Sequence, residues 1–367
     1  MIKLTYGLKQ KFCFHHNDIN ILGKVEAPLP LKCSNYRLND GEFVHFYVEP
    51  IPSRRGPRYA WGTKTPSVHR LREQPGNFNI EIPIDAPNLH EGWNNLTICI
   101  EDEKSQVNTL DMSFHWDSSP LPLPIVLTNL NQYESIQEIG QIVNGTFDID
   151  RQRNVICTKE PVGSDILFLI GSPYGSQEAT YDVKFTHSLK DWCFLGLSDF
   201  FFGHQEQSPD LGIKPGYCTA GLATINNKGY GQVWLAWGDC LTDKENTWVI
   251  TTEKKPKFPV RPGITYSVRH QTIIAETFNF ARFRIWRKGR PEPKRWLCQE
   301  HNSNLDPNFP RLGTASFGLF QYWGMPTEWS NITVKPLDIN TQELKLPKER
   351  SNLSVLVQTI REYIENF

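Results

Sequence analysis

The sequence has no apolar run approaching the roughly 18 residues that a membrane-spanning helix requires. Its first ten residues also lack the apolar segment of a secretory signal peptide. Helical periodicity is almost absent before residue 338. These absences predict a chain without a membrane span, located in the cytoplasm and built mainly from strands.

A surplus of charge of one sign is missing as well. The chain has 39 Lys and Arg residues against 40 Asp and Glu residues, for a formal net charge of -1. Binding to nucleic-acid phosphates needs clustered positive charge. The basic clusters 53–58 and 287–290 are interrupted by Gly or Pro and are expected to be solvated loops. No nucleic-acid partner is therefore predicted.

Cysteine pairs of the kind that bind zinc or exchange electrons are absent. The eight cysteines are widely spaced and form no C-x-x-C motif. Their even number permits disulfides without showing any. Most of them lie inside apolar runs such as 96–100, where a free cysteine serves as a small core residue.

The composition that is present is typical of a folded globular protein, with 39% hydrophobic, 22% charged and 12% aromatic residues. At about 100–200 residues per domain, a chain of 367 residues is expected to form two domains.

Short runs of alternating polarity, separated by turn residues, follow one another between residues 12 and 117. This period-two pattern predicts a small antiparallel sandwich. Segments 76–82 and 89–102 resemble the immunoglobulin-like or fibronectin-type modules found beside carbohydrate-active domains. The alternating runs are 20–25, 43–48, 78–82, 96–100 and 112–116.

Three alternate prolines, Pro120, Pro122 and Pro124, mark the predicted domain boundary, because they favour an extended segment without strand hydrogen bonds. A second series of about a dozen strand-like runs predicts a large sandwich or jelly roll. The predicted divisions are an immunoglobulin-like sandwich over 1–118, a proline-rich linker over 119–137, a jelly roll over 138–338 and a tail over 339–367.

Apolar residues recur at helical spacing near the C-terminus, at Leu353, Leu356, Ile360 and Ile364, with Ser351 as a candidate cap. We expect a short amphipathic helix whose apolar face docks on a domain surface or on a second copy of the chain. A homo-oligomer formed through this helix is one hypothesis.

Segments 313–324 and 329–334 resemble the closing strands of concanavalin A-like lectin/glucanase domains, including laminin-G-like modules. Segments 266–269, 283–289 and 291–296 are similar to the tyrosine strand, the tryptophan-ended strand and the proline-rich turn of bacterial members. The resemblance implies a concanavalin A-like jelly roll in an all-β protein. Because this fold carries lectins, hydrolases and lyases alike, the function has to be argued from the site.

Alternation predicts which side chains face a ligand. In 181–187, Tyr181, Val183 and Phe185 share one face and are expected in the core. The leading hypothesis is a protein that binds a glycan or glycoside on the concave face, because planar polar groups bind hydroxyls and indole faces stack on sugar rings. The alternative is that these strands form the convex sheet, where the charges are only solvated. The predicted ligand-binding residues are Asp182, Lys184, Gln232, Trp234, Arg269, Arg284, Trp286 and Tyr322.

An enzyme using the same pocket is the competing hypothesis. The glucanases of the resembled superfamily carry a strand with two glutamates around an aspartate, and its absence here disfavours retaining hydrolysis. A hydrolase or lyase would depend on Asp182 and Asp199, from separate strands, and on His187. The phenylalanine-rich segment 194–202 leaves open an isomerase or cyclase acting on a hydrophobic small molecule, although packing against loops or the first domain is the favoured explanation.

No motif indicates a cofactor. The resemblance implies a structural calcium on the convex side, with Asp148, Asp150 or Asp338 as candidate ligands. No dense oxygen-rich loop accompanies these residues. A structural adaptor without a ligand is the third hypothesis.

Overall fold

The computed structural model consists of strands joined by turns, with two short 3₁₀ turns, Leu130–Gln132 and Ile136–Glu138, in the described part of the chain. This confirms the predicted all-β class. The predicted C-terminal helix lies outside the described residues. Between residues 193 and 250 only the backbone is described. The structure describes residues 1–13, 18–26, 31–49, 75–158, 164–186, 193–201, 205–208, 212–214, 217–225, 232–238, 248–250, 258, 260–303, 314–324, 326–340 and 344.

The N-terminal part forms two sheets. One contains three strands in the order β1-β3-β6, and the other contains five strands in the order β2-β8-β7-β4-β5. The β2–β8 pair is parallel, and the other described pairs in these sheets are antiparallel. The strands are β1 (Ile2–Leu4), β2 (Lys9–Phe12), β3 (Asp18–Val25), β4 (Leu31–Leu38), β5 (Phe43–His45), β6 (Asn77–Pro83), β7 (Gly92–Asp102) and β8 (Val107–Trp116).

Alternation explains how these two sheets pack. In β7, Leu96, Ile98 and Ile100 are fully buried, whereas Trp93 on the other face is 48% exposed. Residues of the three-stranded sheet, such as Ile80, join the same hydrophobic cluster. The two sheets therefore enclose one core, as the sequence pattern predicts for a sandwich.

The rest of the described chain forms two larger sheets and a separate two-stranded sheet made of Gln205–Ser208 and Gly212–Lys214. The strands are β9 (Ile125–Leu127), β10 (Gly140–Asn144), β11 (Phe147–Asp150), β12 (Val155–Thr158), β13 (Ser164–Tyr174), β14 (Gln177–Phe185), β15 (Cys193–Phe201), β16 (Gln205–Ser208), β17 (Gly212–Lys214), β18 (Tyr217–Ile225), β19 (Gln232–Gly238), β20 (Trp248–Ile250), β21 (Thr265–Ile274), β22 (Phe278–Arg287), β23 (Cys298–Ser303), β24 (Ala315–Gly324) and β25 (Thr327–Pro336).

Seven of these strands pair in the order β10-β13-β24-β15-β18-β19-β20, and seven others pair in the order β11-β12-β25-β14-β21-β22-β23. The short strand β9 pairs with β25 and completes the second of these sheets, which has eight strands. Phe168 and Leu319 of the seven-stranded sheet share a hydrophobic cluster with Tyr181 and Trp329 of the eight-stranded sheet. The core therefore lies between the two sheets.

The stretch predicted to be a linker, 119–137, contains β9, the first 3₁₀ turn and the start of the second. Ile125, Val126 and Leu127 pair with Val334, Thr333 and Ile332 in the eight-stranded sheet. The chain therefore joins the larger sandwich directly after its prolines.

Strand β3 contacts both sandwiches. Ile21 lies in the core of the N-terminal sandwich, whereas its neighbour Leu22 lies in the core of the larger one. Buried amides add direct hydrogen bonds: Asn79 donates to the backbone oxygen of Val143 at 2.8 Å, and Gln141 donates to that of Asp18, also at 2.8 Å. Hydrogen bonds between buried groups of this kind hold a packed interface in one geometry.

Within the described ranges, no helix has the length and apolar composition needed to cross a bilayer. Among the cysteines whose side chains are described, Cys13, Cys33 and Cys99 are free thiols.

Candidate functional site

The candidate site is the surface of the eight-stranded sheet that points away from the core, called the outer face below. Tyr181, Val183 and Phe185 of β14 are buried in the core, which places Asp182 and Lys184 on the outer face. The same alternation in β21 and β22 buries Tyr266, Val268, Phe283 and Ile285. The predicted orientation of these three strands is confirmed by the burial of their apolar sets.

The strand register places five of the predicted ligand-binding residues close together on this face: Asp182, Lys184, Arg269, Arg284 and Trp286. Asp182 pairs with Ser267, and Ser267 pairs with Trp286 on the next strand. In the adjacent row, Thr180 pairs with Arg269, which pairs with Arg284. Directly opposed residues in a sheet have neighbouring side chains. The two rows therefore present a carboxylate, hydroxyls, guanidinium groups and an indole side by side.

The Asp182 carboxylate is held from three sides. Ser267 Oγ donates to Asp182 Oδ1 at 2.6 Å, and Asn331 Nδ2 donates to Oδ2 at 2.6 Å. Lys288 Nζ lies 2.7 Å from Oδ2. Burial raises the pKa of Asp182, but the hydrogen bonds from Lys288, Ser267 and Asn331 outweigh it and leave the pKa below its ordinary value. The carboxylate is therefore ionised at neutral pH.

Arg269 links two carboxylates in the neighbouring row. Its Nη1 donates to Glu178 at 2.5 Å, while Nε and Nη2 donate to the two oxygens of Glu292 at 2.8 and 3.1 Å. Arg284 donates to Glu292 at 2.6 Å, and Lys335 lies 3.0 Å from Glu178. Burial raises the pKa of both glutamates, yet their hydrogen bonds and ion pairs lower it overall.

The turn between β22 and β23 contributes side chains to the outer face. The Cζ atoms of Arg282 and Arg284 lie 4.4 and 3.9 Å from the ring centroid of Trp296. Glu292 of the same turn forms the ion pairs described above. Guanidinium groups stack favourably on indole rings, so the turn and the sheet stabilise each other.

Sequence reasoning missed Glu178, Glu292 and Trp296 as residues of this face. Glu178 has the same strand parity as Asp182, which is a signal that could have identified it. Glu292 and Trp296 lie in a turn, where alternation gives no direction. Their position follows only from the folded chain.

The structure does not bring all eight predicted ligand-binding residues to one face. Gln232 and Trp234 belong to β19 and Tyr322 belongs to β24, and both strands are in the seven-stranded sheet. Their side chains are outside the described set. The other five residues point away from that sheet.

The carboxylate pair considered for an enzyme is also divided between the sheets. Asp199 belongs to β15 of the seven-stranded sheet, so its backbone lies across the core from the Asp182 carboxylate. His187 lies outside the described residues. The phenylalanine-rich segment lies largely in β15, whose side chains are likewise outside the described set.

Among the described residues, no group of three or more His, Cys, Asp or Glu side chains is arranged to hold a metal ion. Of the calcium candidates, Asp150 instead forms an ion pair with Arg153 at 2.7 Å, and Asp148 accepts a hydrogen bond from the backbone of Ile149 at 2.8 Å. The calcium site stays a prediction.

No protein-family model and no curated protein matches the chain. Solved structures similar to it include alginate lyase Aly36B, with 12% identity, a TM-score of 0.38, and coverage of 60% of this chain and 99% of that one. The carbohydrate-binding module CBM66 from Bacillus subtilis has 14% identity and a TM-score of 0.32, covering 53% of this chain and 94% of that one. The lectin UEA-II complexed with galactose has 9% identity and a TM-score of 0.32, covering 60% and 100%. Identities and TM-scores this low assign neither a family nor a function to the chain.

Proposed function

We propose that this protein recognises a glycan on the outer face of the eight-stranded sheet. The observation that carries the proposal is the row formed by Asp182, Ser267 and Trp286 on three adjacent strands. An indole beside a hydroxyl and a fixed carboxylate offers a sugar both a stacking surface and hydrogen-bonding groups.

The state of Asp182 supports recognition rather than acid catalysis. Its lowered pKa keeps the carboxylate ionised, so it accepts hydrogen bonds from sugar hydroxyls and has no proton to donate. The hydrogen bonds from Ser267 and Asn331 fix its orientation before a ligand arrives. An acceptor that is already oriented loses less conformational freedom on binding.

The finer fold assignment belongs to the same proposal. The larger sandwich is assigned to the concanavalin A-like type and the N-terminal one to the immunoglobulin-like type, with the divisions 1–118 and 138–338. The two facing sheets of each part support this assignment. Homo-oligomerisation through the tail, 339–367, and a cytoplasmic location remain predictions from the sequence.

A glycan array followed by titration calorimetry tests the function. We expect the wild-type protein to bind at least one oligosaccharide and Trp286→Ala to weaken that binding about tenfold or more, which corresponds to about 1.4 kcal/mol. The matched control is Trp93→Ala, which removes an exposed indole from the N-terminal sandwich. Its affinity should equal that of the wild type.

Thermal unfolding of both variants shows whether the sandwich is intact. Equal affinity of a folded Trp286→Ala variant and the wild type would remove the outer face as the binding site. Failure of the wild-type protein to retain any glycan would remove the function itself.

A further inference from the structure

Two arginines on one strand share a single aromatic partner. Arg282 and Arg284 are two residues apart in β22 and therefore lie on the same face. Both guanidinium groups contact Trp296, at 4.4 and 3.9 Å from the ring centroid. The indole holds two positive charges next to each other, and this proximity contributes to lowering the pKa of Arg282, after the larger effect of burial.

Positive charge exceeds negative charge in this cluster. Arg269, Arg282, Arg284 and Lys335 face two carboxylates, those of Glu178 and Glu292. The Glu292 carboxylate is already shared between Arg269 and Arg284. Four cations against two anions leave two positive charges without a compensating carboxylate in the cluster.

The surplus charge is centred on Arg282, beside Arg284, which shares the Glu292 carboxylate with Arg269. Arg282 donates through Nε to the amide oxygen of Gln271 at 2.7 Å, which is a neutral acceptor. Among the carboxylates whose side chains are described, none forms an ion pair with Arg282. The Nε of Arg284 is buried without a hydrogen-bond partner. A pair of guanidinium groups with unused donors matches the oxygens of a planar or tetrahedral anion.

We propose that Arg282 and Arg284, held on Trp296, form a subsite for the anionic group of an acidic saccharide, either a uronate carboxylate or a sulfate ester. This inference rests on the proposed glycan-binding function and names its ligand class. Trp286 is two residues beyond Arg284 on the same strand, so one saccharide can contact the indole with its ring and the arginines with its anionic group.

The test is calorimetric titration of the full chain with paired probes. Oligosaccharides of galacturonate, glucuronate and mannuronate are each compared with their methyl esters, and a sulfated galactan oligosaccharide is compared with its desulfated form. We expect at least one acidic form to bind ten times or more tightly than its neutral form, with the preference falling as salt rises from 50 to 500 mM. The uronate and sulfate pairs identify which anion is bound.

The Arg282→Gln variant should lose this preference for the acidic form. Arg37→Gln is the matched control, because Arg37 lies over the Phe43 ring at 5.1 Å in the N-terminal sandwich, away from the outer face. This control should keep the full preference. The salt dependence of the wild-type protein provides a measurement that does not depend on the folding of any variant.

The outcomes separate this inference from the function on which it rests. Tight binding of neutral and acidic forms alike, or a preference retained in Arg282→Gln, overturns the anion subsite and leaves glycan binding standing. Absence of binding to every probe and to the glycan array overturns both. A preference lost in Arg282→Gln, together with unchanged affinity of Trp286→Ala for the acidic form, supports the subsite and removes the role of Trp286.

Discussion

Asn331 donates a 2.6 Å hydrogen bond to Asp182 from a backbone position with a φ of 52°. The pairing between β14 and β25 shifts register at this point, between Thr180 and Asp182. Asparagine tolerates the left-handed region better than most residues. This irregularity in β25 thus directs the Asn331 amide towards the Asp182 carboxylate, which belongs to the proposed glycan site.

Replacing Asn331 separates its two roles. Asn331→Ala loses the hydrogen bond and also puts alanine, which tolerates the left-handed region less well than asparagine, at this position, so we expect a loss of about 1–2 kcal/mol in the free energy of unfolding. Asn331→Gly loses only the hydrogen bond and should be the more stable of the two variants. Urea denaturation measures the free energy of unfolding of both variants. A glycine variant less stable than the alanine variant would show that the backbone conformation costs nothing here.

Arg269→Met is expected to lower the free energy of unfolding by about 2 kcal/mol, because it leaves the buried carboxylate of Glu178 with reduced compensation. Arg269→Lys should recover only part of the loss, since one ammonium cannot reproduce the bonds to Glu178 and Glu292 together. The control is Lys3→Met, which breaks the exposed pair with Glu26 and should have little effect. Equal effects of the Arg269 and Lys3 variants in urea denaturation would contradict this prediction.

Asp18 makes the stability depend on pH in the direction opposite to most aspartates. Burial first, and then the carboxylates of Glu81 and Asp85, raise the pKa of Asp18 from 3.8 to about 7. Because the folded protein holds this proton more tightly than the unfolded chain, the stabilisation is complete below about pH 4 and is lost as pH rises towards 7.

Asp18→Asn removes this titration while keeping the backbone oxygen that accepts from Gln141. We expect the variant to be more stable than the wild type at pH 8, by an amount on the order of 1–3 kcal/mol. The two proteins should converge at pH 4. Chemical denaturation at several pH values measures the difference in the free energy of unfolding. If that free energy changed with pH in the same way for both proteins, the raised pKa of Asp18 would be contradicted.

Gly140 allows β10 to approach β13 closely. A Cβ at this position would clash with the backbone oxygen of Leu169, which the pairing of the two strands holds in place. Gly140→Ala should therefore destabilise the protein by about 1–3 kcal/mol. Gly175→Ala is the matched control, because a Cβ there meets no atom within 4 Å. Thermal unfolding of the two variants should give clearly different midpoints.

The sequence was sufficient to orient individual strands. In β14 and β21, apolar residues alternate with polar ones, and Tyr181, Val183, Phe185, Tyr266 and Val268 are buried as the alternation predicts. This works because the period of two in an extended chain is a local property. The all-β class follows from the same local pattern, since almost no stretch before the tail has helical spacing.

The tertiary structure alone decided which strands share a sheet. Alternation assigns Asp182 and Trp234 to faces of their own strands, but pairing over long sequence distances places β14 in one sheet and β19 in the other. The turn that brings Trp296 against Arg282 and Arg284 likewise lacks a regular alternation of apolar and polar residues from which its side-chain directions could be predicted. The sequence by itself therefore determined the class of the fold and the inward or outward direction of the apolar side chains in β14, β21 and β22. Strand pairing and the turn between β22 and β23 decided which residues form the site. Both depend on contacts between residues that are distant along the chain, so local sequence patterns do not predict them.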